Sequence, residues 1–317
     1  MNEELKAKVR HSADVLRVAV ELSQTYYNRP IVICYSGGKD SDVLLDIAVN
    51  NLDKSDFIVL NSHTTLDAPD TVYYIRRKFE ALRAEGIEAT VKYPMYKGQK
   101  DSFWKLCERK KMLPTRITRF CCAQLKEVST PHQIACVGVR ASESKNREGR
   151  GEFGLLADRN TAKSAQHVKA MIAFDKAEDN ESTFECEIIK GAKKNKSMVC
   201  NPVYLWTEAD VWDYIKAQGL EVNPLYSKGY KRVGCVGCPM ASRGRYKEFA
   251  DFPKYKLNLI RLCDRILANG GAPSKNFANG EDFFRWWLEE DWKQLRFEDL
   301  AGVERREIGG VGNDKAN

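Results

Sequence analysis

The amino-acid sequence predicts an α/β fold in which a parallel β-sheet carries helices on both faces and is followed by a helical C-terminal extension. Apolar runs of strand length alternate with segments of helical periodicity along the first part of the chain, which is the pattern of parallel strands joined by crossover helices. Polar segments follow two of these runs, after Cys34 and after Asn61. Ligands of such sheets bind beyond the carboxyl ends of the strands, so a functional site is expected there.

The individual elements follow from the spacing of the apolar residues. Residues 1–28 have helical spacing and predict an N-terminal helix with one packing face. Strands are expected at 31–34, 56–61, 89–94, 132–139 and near 184–189, and helices at 39–51, 69–84, 103–111, 254–267 and 283–288. One more helix is predicted to open at Thr207, with Asp210 at the third position, and to end at Gly219.

The composition is that of a soluble globular protein. The chain has 317 residues, of which 43% are hydrophobic and 30% are charged. No apolar run approaches the roughly 20 residues that span a bilayer, and the N-terminus lacks the apolar segment of a secretory signal. We therefore expect a cytoplasmic location and no membrane partner. The net charge of +7 suits polyanionic partners such as nucleotides or nucleic acid, although a basic surface without a specific partner is an equal alternative.

The segment Ser36-Gly37-Gly38-Lys39-Asp40-Ser41 lies between an apolar run and a helical pattern. The two glycines let the backbone approach a ligand closely, and the free N–H groups of the first helical turn then face a bound anion. Lys39 adds a positive charge, and Ser36 and Ser41 add hydroxyl groups. The arrangement predicts a site for phosphate or sulfate. The alternative is an ordinary glycine turn between a strand and a helix.

Ten cysteines are many for a cytoplasmic chain, where disulfides are disfavoured. Cys121-Cys122 and Cys235-x-x-Cys238 supply two pairs of thiols, and the second pair has the spacing of a metal-binding turn. Four thiolates suit zinc or an iron–sulfur cluster. Zinc sites commonly use two Cys-x-x-Cys turns, so the adjacent pair favours the cluster. The remaining alternative is that all four are small buried hydrophobes. Structural roles are expected for Cys34, Cys107, Cys136, Cys186, Cys200 and Cys263.

Several segments occur together in an order that resembles the phosphoadenosine phosphosulfate (PAPS) reductase family, over roughly residues 30–240. They are the loop Ser36–Ser41, the Cys121-Cys122 pair, Gly138-Val139-Arg140 with Glu143, Ser144 and Arg147, Asn201-Pro202, Trp206 to Trp212, and Gly234-Cys235-x-x-Cys238-Pro239. The family includes adenylyl-sulfate reductases and sulfurtransferases of DNA phosphorothioation. The resemblance implies a Rossmann-like fold of the adenine nucleotide α-hydrolase type.

The resemblance also implies roles for individual residues. The phosphate or sulfate of an adenine nucleotide would be held by Ser36, Gly37, Gly38, Lys39, Asp40, Ser41, Arg140 and Arg147. The catalytic residues would be Lys39, Asp40 and Arg140. A [4Fe-4S] cluster would be bound by Cys121, Cys122, Cys235 and Cys238. The substrate would be ATP, adenylyl sulfate or PAPS, and Mg²⁺ is a further candidate cofactor.

The expected organisation is an N-terminal helix (1–28), a nucleotide-binding and iron–sulfur domain (29–242) and a helical extension (243–317). Residues 148–198 are less regular and predict an excursion from the main sheet, and the Gly-rich tail after Ile308 is expected to be disordered. The aromatic segment 283–288, with Trp292, could stack on bases, but packing in a core is the favoured interpretation. His63 is not assigned a catalytic role.

One departure from the family bears on function. Its reductases carry a nucleophilic cysteine near the C-terminus in a Glu-Cys-Gly-Leu-His segment, whereas no cysteine follows Cys263 here. The first hypothesis is therefore sulfur transfer to an acceptor, such as nucleic acid, with chemistry at the α-phosphate of ATP. The second is a reductase that releases sulfite with a thiol from Cys263 or from a partner. The third is a nucleotide-binding module with a structural cluster. A sulfur-carrier protein and a second copy of the chain are candidate partners.

Overall fold

The computed structural model of this chain describes residues 1–126, 133–143, 147, 151–155, 198–272 and 277–289. Its strands are β1 (Ile31–Cys34), β2 (Phe57–Ser62), β3 (Ala89–Lys92), β4 (Met95–Tyr96), β5 (Gln99–Lys100), β6 (Ile134–Cys136), β7 (Phe153–Leu155) and β8 (Met198–Cys200). Its helices are α1 (Glu3–Tyr27), α2 (Lys39–Asn51), α3 (Pro69–Ala84), α4 (Phe103–Lys110), α5 (Phe120–Leu125), α6 (Glu208–Gln218), α7 (Gly244–Asp251), α8 (Pro253–Ala268) and α9 (Gly280–Glu289).

The main sheet has six strands in the order β3-β2-β1-β6-β8-β7. β1 pairs in parallel with β2 and with β6, β2 with β3, and β6 with β8. β7 is antiparallel to β8, so the sheet is mixed at one edge rather than parallel throughout. Ile31, Val32 and Ile33 in β1 are each 0% exposed, so both faces of this strand are covered. The predicted α/β fold is confirmed.

Capping residues set the ends of the helices that the sequence predicts best. The Asn2 side chain accepts a hydrogen bond from the N–H of Leu5 at 2.8 Å and begins α1. Thr207 and Asp210 form the predicted capping box of α6, and Gly219 ends that helix in the left-handed conformation, at φ 63°. α7 and the small hairpin β4–β5 were not predicted. The predicted strand near 184–189, most of the 148–198 excursion, Trp292 and the tail after Ile308 lie outside the described residues.

The chain divides into two compact units. The first is formed by Met1–Phe103 and Phe120–Cys235, and the second by Trp104–Arg119 and the described residues from Val236 onward. In the first unit, α1, α2, α3 and α6 share a hydrophobic core with the strands of the sheet. The boundaries expected at residues 28 and 242 stay predictions.

The second unit is helical and has a core of its own. Phe283, Phe284 and Trp287 of α9 are at most 2% exposed. These rings therefore pack in a core, which is the interpretation that the sequence favoured. The indole N–H of Trp287 donates to the carbonyl of Pro114 at 2.7 Å, and the Arg245 guanidinium lies 3.9 Å from the centre of the Trp287 ring. In neither unit does a helix of the described chain combine the length and the apolar character that crossing a bilayer requires.

Candidate functional site

The predicted anion loop joins the end of β1 to the start of α2. Gly37 has φ +71°, and a Cβ atom at this position would lie 2.9 Å from Cγ1 of Ile75. Both observations require glycine, because other residues strain at this φ and lack the space. Gly38 is extended and caps α2, whose first helical residue is Lys39. The loop therefore places the N-terminus of α2 at the carboxyl end of β1, as the sequence predicted.

The hydroxyl of Ser41 builds the loop from within. Ser41 is 4% exposed. Its Oγ accepts hydrogen bonds from the N–H of Gly38 at 3.1 Å and of Ser36 at 3.3 Å, and donates to the Gly38 carbonyl at 2.7 Å. The Ser36 hydroxyl lies 3.2 Å from Oγ of Ser41. Ser41 thus supports the conformation of the loop, and direct contact of either hydroxyl with a phosphate stays a prediction.

The three predicted catalytic residues meet in this structure. Lys39 is 5% exposed and Arg140 is 3% exposed. The Arg140 Nε donates to Asp40 Oδ1 at 2.6 Å, and the Lys39 Nζ lies 3.6 Å from Asp40 Oδ2. Lys39 Nζ is also 3.6 Å from a carboxylate oxygen of Glu208, at the start of α6. Two nearly buried cations therefore share one carboxylate at the N-terminus of a helix.

Arg140 reaches the loop because β6 lies next to β1 in the sheet. The chain leaves β6 through Gly138, where a Cβ atom would lie 2.9 Å from the backbone carbon and the carbonyl oxygen of Asp40. Only glycine allows the two segments to approach so closely. The Arg140 side chain is then held by the Ser142 hydroxyl, which accepts from its Nη1 at 3.0 Å. The Gly138-Val139-Arg140 segment thus packs directly onto the loop.

Arg147 is connected to the loop through Glu143 and Arg140. Its guanidinium pairs with the carboxylate of Glu143, and Glu143 also lies 3.9 Å from Nη2 of Arg140. The structure therefore connects the two predicted arginines through one shared carboxylate. Ser144 lies outside the described residues. A direct role of Arg147 in holding an anion stays a prediction.

Two functional neighbours of the loop were missed by sequence reasoning, which interpreted residues 223–226 as a plain turn. Asn223 is fully buried, and its Nδ2 lies 3.1 Å from both the carbonyl of Gly37 and the hydroxyl of Thr71. The phenol oxygen of Tyr226 accepts the backbone N–H of Lys39 at 2.9 Å. The Lys39 ammonium lies 5.7 Å from the centre of the Tyr226 ring. No local pattern could have indicated contacts that span about 190 residues.

A third missed residue, Asp42, lies beneath the loop. It is 2% exposed, and its Oδ1 is 2.5 Å from the phenol oxygen of Tyr35 and 3.0 Å from that of Tyr74. The phenol oxygen of Tyr74 also lies 2.7 Å from the carbonyl oxygen of Glu221. The Tyr74 hydroxyl has a single hydrogen, so it can donate to only one of these two acceptors. Oδ2 has no hydrogen-bond partner among the described residues. Burial raises the pKa of Asp42 to about 7, so a neutral carboxyl that donates to Tyr74 satisfies this geometry.

The first unit holds three of the four predicted cluster ligands. Cys121 and Cys122 lie in the short helix α5. Cys235 forms an isolated antiparallel bridge with Asp67, and its sulfur is 3.2 Å from the Thr64 hydroxyl. Asp67 in turn accepts from the N–H of Thr64 at 2.8 Å. The loop that follows β2 therefore packs against Cys235.

Cys238 belongs to the second unit and follows a tight turn. Gly237 there has φ +72°, and its N–H donates to a carboxylate oxygen of Glu248 at 2.6 Å. A Cβ atom at Gly237 would lie 2.4 Å from the ring of Phe249. The four predicted ligands are cysteines of intermediate exposure outside any disulfide, which is a donor set that thiophilic metals accept. Within the described parts of the chain, no three His, Cys, Asp or Glu residues are arranged to hold a metal ion.

The other described cysteines differ in their surroundings. Cys107, Cys136, Cys200 and Cys263 are each 0% exposed, and Cys34 is of intermediate exposure. Burial raises the pKa of Cys263 to about 12, so its thiolate is disfavoured and it is a poor nucleophile. This contradicts its proposed use as the thiol of a reductase. Cys186 lies outside the described residues.

His63 has structural contacts. Its Nδ1 lies 3.1 Å from Asp67 Oδ2, and its ring meets the edge of Tyr93 with 5.1 Å between centres. These contacts account for the residue without a catalytic role.

The chain was compared with known protein families and curated proteins. The phosphoadenosine phosphosulfate reductase domain matches residues 30–241. An uncharacterised protein of Methanocaldococcus jannaschii is 24% identical over 84% of this chain, which spans 47% of that protein, about half its length. The adenosine 5′-phosphosulfate reductase of Anoxybacillus flavithermus is 24% identical over 67% of this chain and 74% of the enzyme.

Solved structures show more distant likenesses. The PAPS reductase of Candida auris, in complex with phosphate, is 17% identical with a TM-score of 0.41 and covers 74% of this chain and 96% of its own. A U34-tRNA thiolase of Methanococcus maripaludis, solved with its [4Fe-4S] cluster, is 12% identical with a TM-score of 0.41 and covers 98% and 86%.

Proposed function

Because this chain belongs to the phosphoadenosine phosphosulfate reductase family, we propose that residues 36–41 bind the phosphate groups of ATP or of another adenylyl compound and that the reaction takes place at the α-phosphate. The observation that supports this most is the meeting of Lys39 and Arg140 at Asp40. Two cations with 5% and 3% exposure are costly to bury. Asp40 neutralises one of the two charges, and the other carboxylate near Lys39, that of Glu208, is 63% exposed, so solvent weakens its attraction and the Lys39 ammonium stays available to an incoming anion. The N-terminus of α2 adds its partial charge at the same point.

The proposed reaction is sulfur transfer to an acceptor. An acceptor oxygen attacks the α-phosphorus, the bond from that phosphorus to the bridging oxygen of the β-phosphate breaks, and pyrophosphate leaves. A sulfide donor then displaces AMP from the activated carbon, and the acceptor oxygen departs with AMP. Lys39, Arg140 and the loop N–H groups would stabilise the charge that develops on the phosphate oxygens. Mg²⁺ would accompany the pyrophosphate.

The cluster is part of the same proposal. Cys121, Cys122, Cys235 and Cys238 would hold a [4Fe-4S] cluster, which would bind or deliver the sulfur. The support is the partial exposure of the four cysteines, the glycine turn before Cys238 and the contact of Cys235 with the loop after β2. Thiolates are the ligands that such clusters use.

A second candidate is adenylyl-sulfate or PAPS reduction with release of sulfite, since the curated relatives include adenosine 5′-phosphosulfate reductases. The attacking thiol would have to come from a partner, because Cys263 is buried with a raised pKa. A third candidate is nucleotide binding without turnover.

One experiment separates the three candidates. Protein purified without oxygen is incubated with ATP, Mg²⁺, sulfide and a candidate acceptor, and separately with PAPS or adenylyl sulfate and a small thiol. Pyrophosphate and AMP from the first mixture, without sulfite from the second, are the expected result. Sulfite from the second mixture would establish the reductase instead. Tight ATP binding without pyrophosphate, AMP or sulfite would support the third candidate, nucleotide binding without turnover.

A further inference from the structure

We propose that the hairpin β4–β5 with its flanking residues, 92–100, binds single-stranded nucleic acid. We call these nine residues the basic hairpin. The inference deepens the proposed function, because it names the class of acceptor and where it docks, and its catalytic meaning rests on that function. Binding itself can be measured without any turnover, so the two proposals can fail separately.

The basic hairpin is a sharply defined structure. Met95 pairs with Lys100 and Tyr96 with Gln99 in an antiparallel ladder. Lys97 and Gly98 form the two-residue turn, with φ 50° and 78°, which are the signs of a type I′ turn. A positive φ at a lysine is unfavourable, and a two-stranded hairpin alone is only marginally stable in water. The chain thus keeps this exposed hairpin although the backbone conformation of Lys97 in its turn is unfavourable.

Large apolar side chains of the basic hairpin face solvent. Tyr93 is 45% exposed, Met95 56% and Tyr96 44%. Isolated exposed hydrophobes are common on proteins, but here three occur within four residues. Met95 and Tyr96 are consecutive residues of β4, so their side chains lie on opposite faces of the hairpin and each face presents a large exposed apolar group. Tyrosine is suited to this use, because its ring stacks on a planar partner while its hydroxyl remains hydrated.

The charge of the basic hairpin is positive throughout. Lys92, Lys97 and Lys100 are exposed, and no acidic residue occurs between Glu88 and Asp101. The ammonium of Lys97 lies 5.6 Å from the centre of the Tyr96 ring. Lysines that follow a phosphate backbone, interleaved with rings that stack on bases, are the pattern of proteins that bind single strands.

The position of the basic hairpin relates it to the loop at residues 36–41. β3 is parallel to β2, and β2 is parallel to β1, so the chain leaves β3 and β1 at the same edge of the sheet. His63, which follows β2 between them, contacts the Tyr93 ring. Neighbouring strands are about 4.8 Å apart, so β3 and β1 are separated by roughly 10 Å. A single-stranded nucleic acid bound on the basic hairpin can therefore reach the loop at residues 36–41 within about two or three nucleotides.

The test is fluorescence anisotropy with a fluorescein-labelled single-stranded RNA of about 20 nucleotides, which exceeds the usual site sizes of such proteins. We expect Tyr96→Ala to weaken binding about tenfold, because one base loses its stacking partner. Lys97→Gln with Lys100→Gln should reduce the slope of log affinity against log salt by about 1.4, since two phosphate contacts are lost at roughly 0.7 each. These side chains are exposed, so the variants should fold, and circular dichroism checks this.

Matched controls exist elsewhere on the first unit. Tyr73 is 69% exposed on α3, and Lys216 is exposed near the end of α6. Tyr73→Ala and Lys216→Gln should bind the RNA like the wild type. If the hairpin variants also bind like the wild type, or if the wild type binds neither this RNA nor a single-stranded DNA of the same length, the proposal is overturned.

The other polyanion that this surface could meet is an anionic membrane. Binding of the wild type to phosphatidylserine vesicles, lost in the hairpin variants, together with no binding to RNA, would assign the surface to lipid and overturn the proposal. Calorimetry with ATP, run on the same variants, should give wild-type affinity. If the wild type binds RNA but does not bind ATP, the proposed function is refuted, whereas the proposal that the basic hairpin binds nucleic acid is supported.

Discussion

The phenol oxygen of Tyr226 accepts the backbone N–H of Lys39 at 2.9 Å. This N–H is the first of α2, and the first N–H groups of a helix have no partner within the helix. The ring of Tyr226 is in turn held edge-on against Trp212, with 5.3 Å between the ring centres. Burial raises the pKa of Tyr226, so the hydroxyl stays protonated. A tyrosine oxygen therefore lies at a point where a phosphate oxygen would be expected to bind.

Replacing Tyr226 by phenylalanine should separate the two uses of that N–H. We expect the ligand-free protein to lose about 1 kcal/mol of unfolding free energy, because the N–H loses its acceptor. ATP should bind several-fold more tightly, since it no longer has to displace the hydroxyl. Urea unfolding and calorimetry measure these two effects. Weaker ATP binding in the variant would mean that the hydroxyl contacts the bound nucleotide and is not displaced.

Replacing Lys39 by alanine tests the loop itself. We expect release of pyrophosphate from ATP to fall by about 100-fold or more, which is typical when a group that stabilises the transition state is removed. The iron content should be unchanged, because the side chain of Lys39 contacts Asp40, Glu208 and Tyr226, none of which is a predicted ligand. Lys216→Ala is the matched control and should retain full turnover. Equal rates in the two variants would remove Lys39 from the proposed mechanism.

Gly138→Ala tests the packing of the segment after β6 onto the loop. The added Cβ would lie 2.9 Å from the backbone of Asp40, and backbone cannot move aside as a flexible side chain can. We expect a loss of about 1–3 kcal/mol in the free energy of unfolding, measured with urea. Gly244→Ala, whose nearest neighbour would be 3.8 Å away, is the control and should change stability little. Similar stabilities of the two variants would show that Gly138 is not required for close approach.

Asp42 should make stability depend on pH. Its pKa in the folded state is raised to about 7, above the ordinary value of 3.8 for an aspartate, so the folded protein holds a proton that the unfolded chain releases between these values. The contribution of Asp42 to stability should therefore be fully present below about pH 4, fall as the pH rises towards 7, and be lost above it. The slope from this residue is at most about 1.4 kcal/mol per pH unit. Urea unfolding of wild type and Asp42→Asn from pH 4.5 to 7.5 measures it, and parallel curves would contradict the assignment.

Iron analysis tests the cysteines. Protein purified without oxygen should be brown and contain about four irons per chain, as a [4Fe-4S] cluster requires, and Cys235→Ser should lose most of them. Cys263→Ala is the control and should keep its iron, because Cys263 is buried and is not among the proposed ligands. A colourless protein with stoichiometric zinc would refute the cluster and leave the nucleotide proposal in place.

The sequence predicted those features whose causes are local. The continuous apolar run of β1, the glycines at 37 and 38 and the capping box at Thr207 each act within a few residues, and the structure has the strand, turn and helix where they were expected. The predicted loop residues and Arg140 also lie together. β7 was not predicted, and its antiparallel pairing to β8 makes the sheet mixed at one edge.

The contacts that complete the site could not be predicted in this way. Asn223 and Tyr226 lie close to the loop only because the chain returns after about 190 residues. Asp42 has the same sequence pattern as a solvated helix residue, and its burial follows from the packing of Tyr35 and Tyr74 around it. The basic hairpin depends on a lysine at positive φ, a conformation that composition does not indicate.

The hydrogen bond from Asn223 to the carbonyl of Gly37 also has a consequence for biosynthesis. As the chain leaves the ribosome, β1, the glycine turn and α2 emerge long before the residues that hold them. The loop gains Arg140 only after about 100 further residues, and Asn223 and Tyr226 after about 190. A nascent chain therefore cannot complete the proposed nucleotide site until residue 226 is free of the exit tunnel, so under this proposal ATP would stabilise only chains that have been translated past this point.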